Sequence, residues 1–258
     1  MHGTLKVDDN YRHYFIYEDG TPCFMLSFEA DWLGEMDFGD PNVTKAKSLI
    51  DIYRANGFNA ALMQLYAYDT SWKSGNTSSY DFGPPTQIVW LGSNGSPDYF
   101  RMNTNYFNSY DRVIDYLFQN GITAHIMLRV YNKQVNWPAK RSAGDNLYWA
   151  YIVARYQAYP NIIWDFSKES YNEGDDAYEN DTLLNVKALD AYDRMVTIHD
   201  DDSFYNNSAY TNTCDFASAG ARHKGGEMTA VGSSLMSAHT SRKITREKRE
   251  SSWTSRGF

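Results

Sequence analysis

At 258 residues the chain has room for one large domain or two small ones. Its formal net charge of −8 argues against a general nucleic-acid binder, and no stretch is long and apolar enough to span a membrane. Aromatic residues make up 16% of the chain, 21 of them Tyr, whose flat faces and polar tips suit cores, interfaces and polar-edged ligands alike.

The chain opens with a β-rich hairpin, Leu5-Lys6-Val7 and His13 to Tyr17, with Asp19-Gly20 as a turn pair. Cys23 to Phe28 reads as an apolar strand. A helix after Pro41-Asn42 carries Ala46, Leu49, Ile50 and Tyr53 at helical spacing, and Gly57 stops it. Phe58 to Tyr66 is the second strand of the repeat, apolar on both faces as a buried parallel strand should be. The connection from Tyr68 to Asn105 is far longer than usual and holds Trp72, Tyr80, Phe82, Trp90, Tyr99 and Phe100. It reads either as an aromatic wall over a cleft or as a loop with its own small core.

The second helix carries Phe107, Tyr110, Val113, Ile114 and Leu117 and stops at Gly121. Thr123 to Tyr131 is the third strand. The third helix starts near Asp145 and ends before Pro160, and Ile162 to Ser167 is the fourth strand. A fourth helix around Leu183, Val186 and Leu189 leads to a fifth strand, Val196 to His199, and Cys214-Asp215-Phe216 starts a sixth. This alternation predicts a parallel α/β fold. A barrel is favoured over an open doubly wound sheet. No Gly-x-Gly-x-x-Gly follows the first strand, and polar clusters end successive strands as they do on the rim of a barrel.

Beyond residue 219 the character changes. Residues 220–258 hold eight Lys plus Arg and three Asp plus Glu, a net +5, which leaves 16 basic and 29 acidic residues, a net −13, before them. The expected organisation is a barrel domain over 1–219, incomplete because strands seven and eight are not recognisable, and an atypical basic, disordered tail over 220–258. The tail reads as a basic arm or as a segment foreign to the fold. Cys23 and Cys214 show no metal-ligand spacing and read as buried reduced thiols. Met1 to Lys6 carries no apolar run of a signal peptide, so a cytoplasmic location is expected and Asn-x-Ser/Thr matches such as Asn42-Val43-Thr44, Asn76-Thr77-Ser78 and Asn94-Gly95-Ser96 read as chance.

An ordered set of short motifs runs through the chain. It comprises Gly20-Thr21-Pro22, Glu29-Ala30-Asp31-Trp32-Leu33, Gly57-Phe58-Asn59, Val130-Tyr131-Asn132-Lys133, Val135-Asn136-Trp137-Pro138, Ala154-Arg155-Tyr156-Gln157, Pro160 to Asp165 and Val196 to Asp200. Together they resemble the apiosidase-like glycoside hydrolases, (β/α)8 TIM barrels of the large retaining clan A, over about residues 3–216. The resemblance implies a retaining glycosidase acting on a polysaccharide or oligosaccharide side chain, with a carbohydrate partner, no cofactor and no metal. It implies a general acid/base at the end of strand four, where Glu169 stands, and a nucleophilic Glu at the end of strand seven. No residue matches the nucleophile. Many clan members have Asn before the acid/base, and Lys168 takes that place here.

Around Glu169, candidate substrate contacts follow from residue type. Glu29 and Asp31 suit hydrogen bonds to sugar hydroxyls. Trp32, Tyr66, Tyr131 and Trp137 suit stacking on sugar faces and, equally, core packing. Asn132, Lys133 and Asn136 are polar rim contacts. Strand alternation puts Lys168 and Glu169 on opposite sides. His199 and Asp200 read as rim donors rather than metal ligands, because consecutive strand residues do not converge. A catalytically dead carbohydrate-binding barrel fragment is the alternative.

Overall fold

The computed structural model describes residues 2–68, 87–131, 133–200, 213–216 and 218–219. A three-stranded antiparallel sheet comes first, from β1 (Leu5–Val7), β2 (Phe15–Tyr17) and β3 (Pro22–Cys23). The Asp19-Gly20 turn joins β2 to β3, not β1 to β2, and Gly20 takes a φ of 88° there. The predicted strand from Cys23 to Phe28 is therefore two strands of two sheets. Cys23 pairs with Phe15, Phe24 points into solvent, and the parallel sheet begins at β4 (Ser27–Glu29).

The repeat then runs as α1 (Thr44–Ala55), β5 (Ala60–Gln64), the hairpin β6 (Trp90–Ser93) and β7 (Ser96–Met102), α2 (Thr104–Gln119) and β8 (Thr123–Val130). It continues as α3 (Ala143–Tyr156), β9 (Ile162–Lys168), a 3-10 turn (Ser170–Asn172), α4 (Asp176–Leu189), β10 (Val196–Thr197), β11 (His199–Asp200) and β12 (Ser218–Ala219). Helix starts follow local chemistry. The side chains of Asn103, Ser142 and Asp175 each accept a backbone N–H of the first turn of α2, α3 and α4. Gly57 and Gly121 take the left-handed conformation just past α1 and α2, at φ 86° and 69°.

The parallel sheet has the order β10-β9-β8-β5-β4, so each strand lies beside its predecessor in the repeat. A doubly wound sheet reverses direction from its first strand, and this one does not. It winds one way, continues through β11 and β12, which also pair in parallel, and forms a partial (β/α) barrel. The sixth strand is Ser218–Ala219, slightly later than predicted, and Cys214–Phe216 runs beside β10 before it, with Asp215 N–H donating to Val196 O at 2.9 Å. The expected tail lies outside the described residues.

Two layers fill the fold. Between sheet and helices, β8 and β9 are buried along nearly their whole length, with Trp164 and Phe166 facing outward from β9 and Trp149 of α3 stacked on Phe166. At the amino-terminal end of the strands, the three-stranded sheet packs Leu5, Phe15 and Cys23 onto Ile163, Met195 and Phe216. Phe15 meets Phe216 edge to face at 5.3 Å, and Arg194 donates to Thr4 Oγ1 at 2.5 Å. The first sheet thus plugs the bottom of the barrel. Both cysteines are buried and free.

The long connection carries its own aromatic core. Trp90 is fully buried and packs edge-on against Tyr66, Tyr99 and Trp137. Residues 69–86, with Trp72, Tyr80 and Phe82, lie outside the described residues.

The plug makes a direct prediction. Phe15→Ala should cost about 3–5 kcal/mol, the usual range for emptying a buried Phe site, read as a lower denaturant midpoint at unchanged slope. A loss under about 1 kcal/mol would mean that the sheet does not hold the barrel bottom.

Candidate active site

The carboxyl ends of the parallel strands converge on one mouth. β4 ends at Glu29, with Asp31 two residues on. β9 ends at Lys168, with Glu169 next, and β11 begins at His199. In the sheet, β5 and β8 lie between β4 and β9, three steps or about 14 Å in a flat sheet. Yet Lys168 Nζ lies 2.5 Å from Glu29 Oε1 and 3.0 Å from each Asp31 carboxylate oxygen. Curvature of the sheet brings these side chains together, and the ammonium ties strand position four to strand position one across the mouth.

The electrostatics of the three groups differ. Burial pushes Glu29 up, but the Lys168 ammonium more than offsets it and the carboxyl ends below its ordinary range. Asp31 ends above its ordinary value, because burial and the Glu29 charge outweigh the same ammonium. Burial opposes the charge on Lys168, and the two carboxylates overcome it and raise its pKa. The Glu29 side chain is 44% exposed, whereas those of Asp31 and Lys168 are each 13% exposed. Glu29 is thus the ionised, solvent-facing member and Asp31 the reluctant one.

Lys168 is where sequence alternation misleads. Ile163 and Asp165 face the barrel interior, while Trp164 and Phe166 face the helices. Continued alternation would send Lys168 outward. Instead the pairing of β8 with β9 lapses opposite Phe166, Ser167 N–H turns to the Asp165 carboxylate at 3.1 Å, and Lys168 reaches the mouth. Glu169 follows in the left-handed region at φ 53°, at the start of the 3-10 turn. Asn172 Nδ2 donates to Glu169 Oε2 at 3.2 Å.

The other sequence candidates divide. Trp32 and Tyr66 are 1% and 0% exposed, so neither offers a face for stacking. Trp32 packs on Ala67 and Val130 under the Lys133 ammonium, 5.6 Å from its ring. Tyr66 sits edge-on to Trp90, Tyr106 and Trp137. Packing claims both rings because the hairpin core lies directly against them. Trp137 is half-buried, donates to Val130 O at 3.2 Å and lies under Arg129. Tyr131 is half-buried and stacks on Phe166. Asn136 is exposed, and its backbone is clamped by Asn94 and Tyr99. His199 is half-buried, and its backbone N–H donates to Asp165 Oδ1 at 3.0 Å. Asn132 and the Asp200 side chain lie outside the described residues.

Several residues escaped the sequence reading. Gln64 is buried, its backbone N–H donates to Asp31 O at 3.0 Å, and its side-chain amide lies beside the Asp31 carboxyl and favours its ionised form. Arg129 and Asp145 form a buried ion pair walled by Trp149, Tyr178 and Tyr148. His125 Nε2 lies 2.8 Å from Asp165 Oδ2 inside the barrel. The available signal was polarity inside apolar runs, as in His125 and Arg129 of β8 and Asp165 of β9.

Among the described residues no group of His, Cys, Asp and Glu is placed to hold a metal ion. Two grooves lie away from the mouth on the helical layer. One of about 600 Å³ is lined by Lys47, Asp51 and Tyr116, and one of about 380 Å³ by Arg141, Trp149 and Asp181. Neither touches a strand end, so the mouth is the better site on chemical grounds.

The ion cluster has a pH signature. Glu29 has a folded pKa below its unfolded one, so its contribution is present above the unfolded value and lost as pH falls through the folded one. Asp31 is raised and works the other way, its contribution fading as pH rises. Lys168→Met should cost about 2–3 kcal/mol near neutral pH, below the usual range for a buried pair because Glu29 is partly exposed. The gap should narrow toward about pH 4, where the orphaned carboxylates take up protons. Denaturant midpoints at the two pH values check this, and a gap that widens toward acid contradicts it.

The family model for the apiosidase-like catalytic domain matches residues 9–253. Among solved structures, a candidate glycoside hydrolase from Bacteroides vulgatus ATCC 8482 is 21% identical with a TM-score of 0.64, covering 81% of this chain and 42% of its own. A glycoside hydrolase family 5 protein from the same organism is 17% identical at TM-score 0.51, over 77% of this chain and 40% of its own. A family 5 mannosidase from Rhizomucor miehei is 11% identical at TM-score 0.60, over 84% of this chain and 61% of its own. These identities speak for the fold alone, and the chain spans less than two thirds of each of these structures. No curated protein matches.

Proposed function

We propose that this chain, which belongs to the apiosidase-like catalytic-domain family, takes part in hydrolysing a glycosidic bond at the mouth of its barrel, with Glu169 as general acid/base. The observation that carries this reading is the Lys168 bridge to Glu29 and Asp31, which gathers charged donors and acceptors at the carboxyl ends of parallel strands. Such a cluster suits a polyhydroxylated ligand. An ionised Glu29 accepts from one hydroxyl while the Lys168 ammonium donates to its neighbour.

In retaining hydrolysis one carboxylic acid protonates the leaving oxygen and a second carboxylate, about 5 Å away, attacks the anomeric carbon. Glu169 fits the first role. It follows directly on β9, beside Lys168, and the Asn172 amide fixes one of its oxygens. Asn172 would also support the anionic carboxylate left after proton transfer, the form that activates water in the second step. The described residues end at the sixth strand position, and the attacking carboxylate is not among them. The substrate proposed is a polysaccharide or oligosaccharide side chain.

A panel of nitrophenyl glycosides and plant or microbial oligosaccharides tests the assignment. Glu169→Gln should lower kcat/KM by about 10²–10⁴-fold on unactivated leaving groups, and much less on a dinitrophenyl glycoside, which needs no proton. Equal losses on both leaving groups would remove Glu169 from the acid role. If the unaltered chain binds sugars at the mouth but turns over none, and Glu169→Gln leaves binding intact, the chain is a carbohydrate-binding barrel instead.

A further inference from the structure

We infer that Asp165 is a positioning residue for the mouth, one buried carboxylate that holds the Lys168–Glu169 strand end in place; the catalytic part of this inference rests on the reading of Glu169 above. Asp165 is fully buried in the middle of β9. Its Oδ2 meets His125 Nε2 of β8 at 2.8 Å. Its Oδ1 accepts two backbone N–H groups, from Ser167 at 3.1 Å and from His199 at 3.0 Å. One side chain thus links three neighbouring strands of the barrel.

The two N–H groups stand where the sheet ladders lapse. The register of β8 with β9 runs to Met127↔Asp165 and resumes at Arg129↔Ser167. The register of β10 with β9 ends at Thr197↔Asp165, and the chain re-pairs from His199 with Ser218 on β12. A buried N–H without a ladder partner needs another acceptor, and Asp165 supplies it at both places. The link then runs on to the mouth. The carbonyl of the same His199 accepts from Ser170 Oγ at 3.3 Å, and Ser170 follows Glu169. Glu169 is therefore held on both sides, by the turned Ser167 before it and by Ser170 after it. Its left-handed backbone needs such support, because a non-glycine residue does not hold that conformation unaided.

The chemistry distinguishes two substitutions. Asp165→Ala removes both acceptors. Asp165→Asn keeps one oxygen for Ser167 and His199 and presents an NH₂ to His125, whose Nε2 accepts when the imidazole proton sits on Nδ1.

Amide hydrogen exchange on the full chain is the direct test. Asp165→Ala should speed exchange at Ser167 and His199 by about ten- to hundredfold, the worth of a lost buried hydrogen bond. Thr123 to Met127 should stay protected, and Asp165→Asn should restore wild-type rates. On the nitrophenyl glycoside hydrolysed fastest in the panel, Asp165→Ala should lower kcat by about 10²-fold with KM little changed, as misplacement of a reacting group does. Should the alanine variant not fold, Ser170→Ala cuts the same link without emptying the core and should lower kcat alone. Unchanged exchange at Ser167 and His199, or a loss in Asp165→Asn equal to that in Asp165→Ala, would overturn the inference. If no glycoside is hydrolysed, the reading of Glu169 fails while the exchange result still decides the role of Asp165.

Discussion

A parallel sheet that winds one way curls, and its concave face has to be filled. Most of this structure answers that constraint. The amino-terminal end is stopped by the separate three-stranded sheet, with Phe15 against Phe216 and Ile163. The next level up holds the His125–Asp165 pair. The carboxyl-terminal end is spanned by Lys168 with Glu29 and Asp31. The filling passes from apolar to hydrogen-bonded to ionic toward the mouth, where solvent reaches Glu29.

That gradient sets how each buried charge is matched. Deep in the barrel a charge must be matched by hydrogen bonds, and Asp165 meets one ring nitrogen and two backbone donors. At the mouth the matching is ionic, and solvent reaches Glu29 more than Asp31. Outside the sheet the same rule yields the Arg129–Asp145 pair, stacked among aromatic rings and hydrogen-bonded by Trp149 and Tyr178. That pair lies between β8 and the helical layer and packs the wall that carries Trp137.

Much of the winding was legible in the sequence, because strand, helix and stop residue recur and each Gly stop lies at a positive φ. What failed has identifiable causes. The run from Cys23 to Phe28 is apolar but for Ser27, and nothing in it tells which residues join which sheet. Regular alternation along β9 would turn Lys168 away from the mouth where the sequence had it as a candidate contact, and that alternation lapses because a side-chain carboxylate replaces a ladder acceptor at Ser167. For Trp32 and Tyr66 the sequence left sugar stacking and core packing equally open, and packing decides because Ala67 and Val130 cover one ring and the hairpin around Trp90 covers the other. Glu169 was found at its strand end, while its left-handed turn has no sequence signal, glutamate being an unusual residue for it.

The central claim is that the mouth, and not a groove on the helical layer, receives the sugar. Amide chemical-shift mapping with a panel of neutral monosaccharides and short oligosaccharides tests it without requiring turnover. The account predicts shifts concentrated at Glu29, Asp31, Lys168, Glu169 and His199. Shifts confined to Lys47, Asp51 and Tyr116, or to Arg141, Trp149 and Asp181, would place the ligand on the outer helices and contradict it.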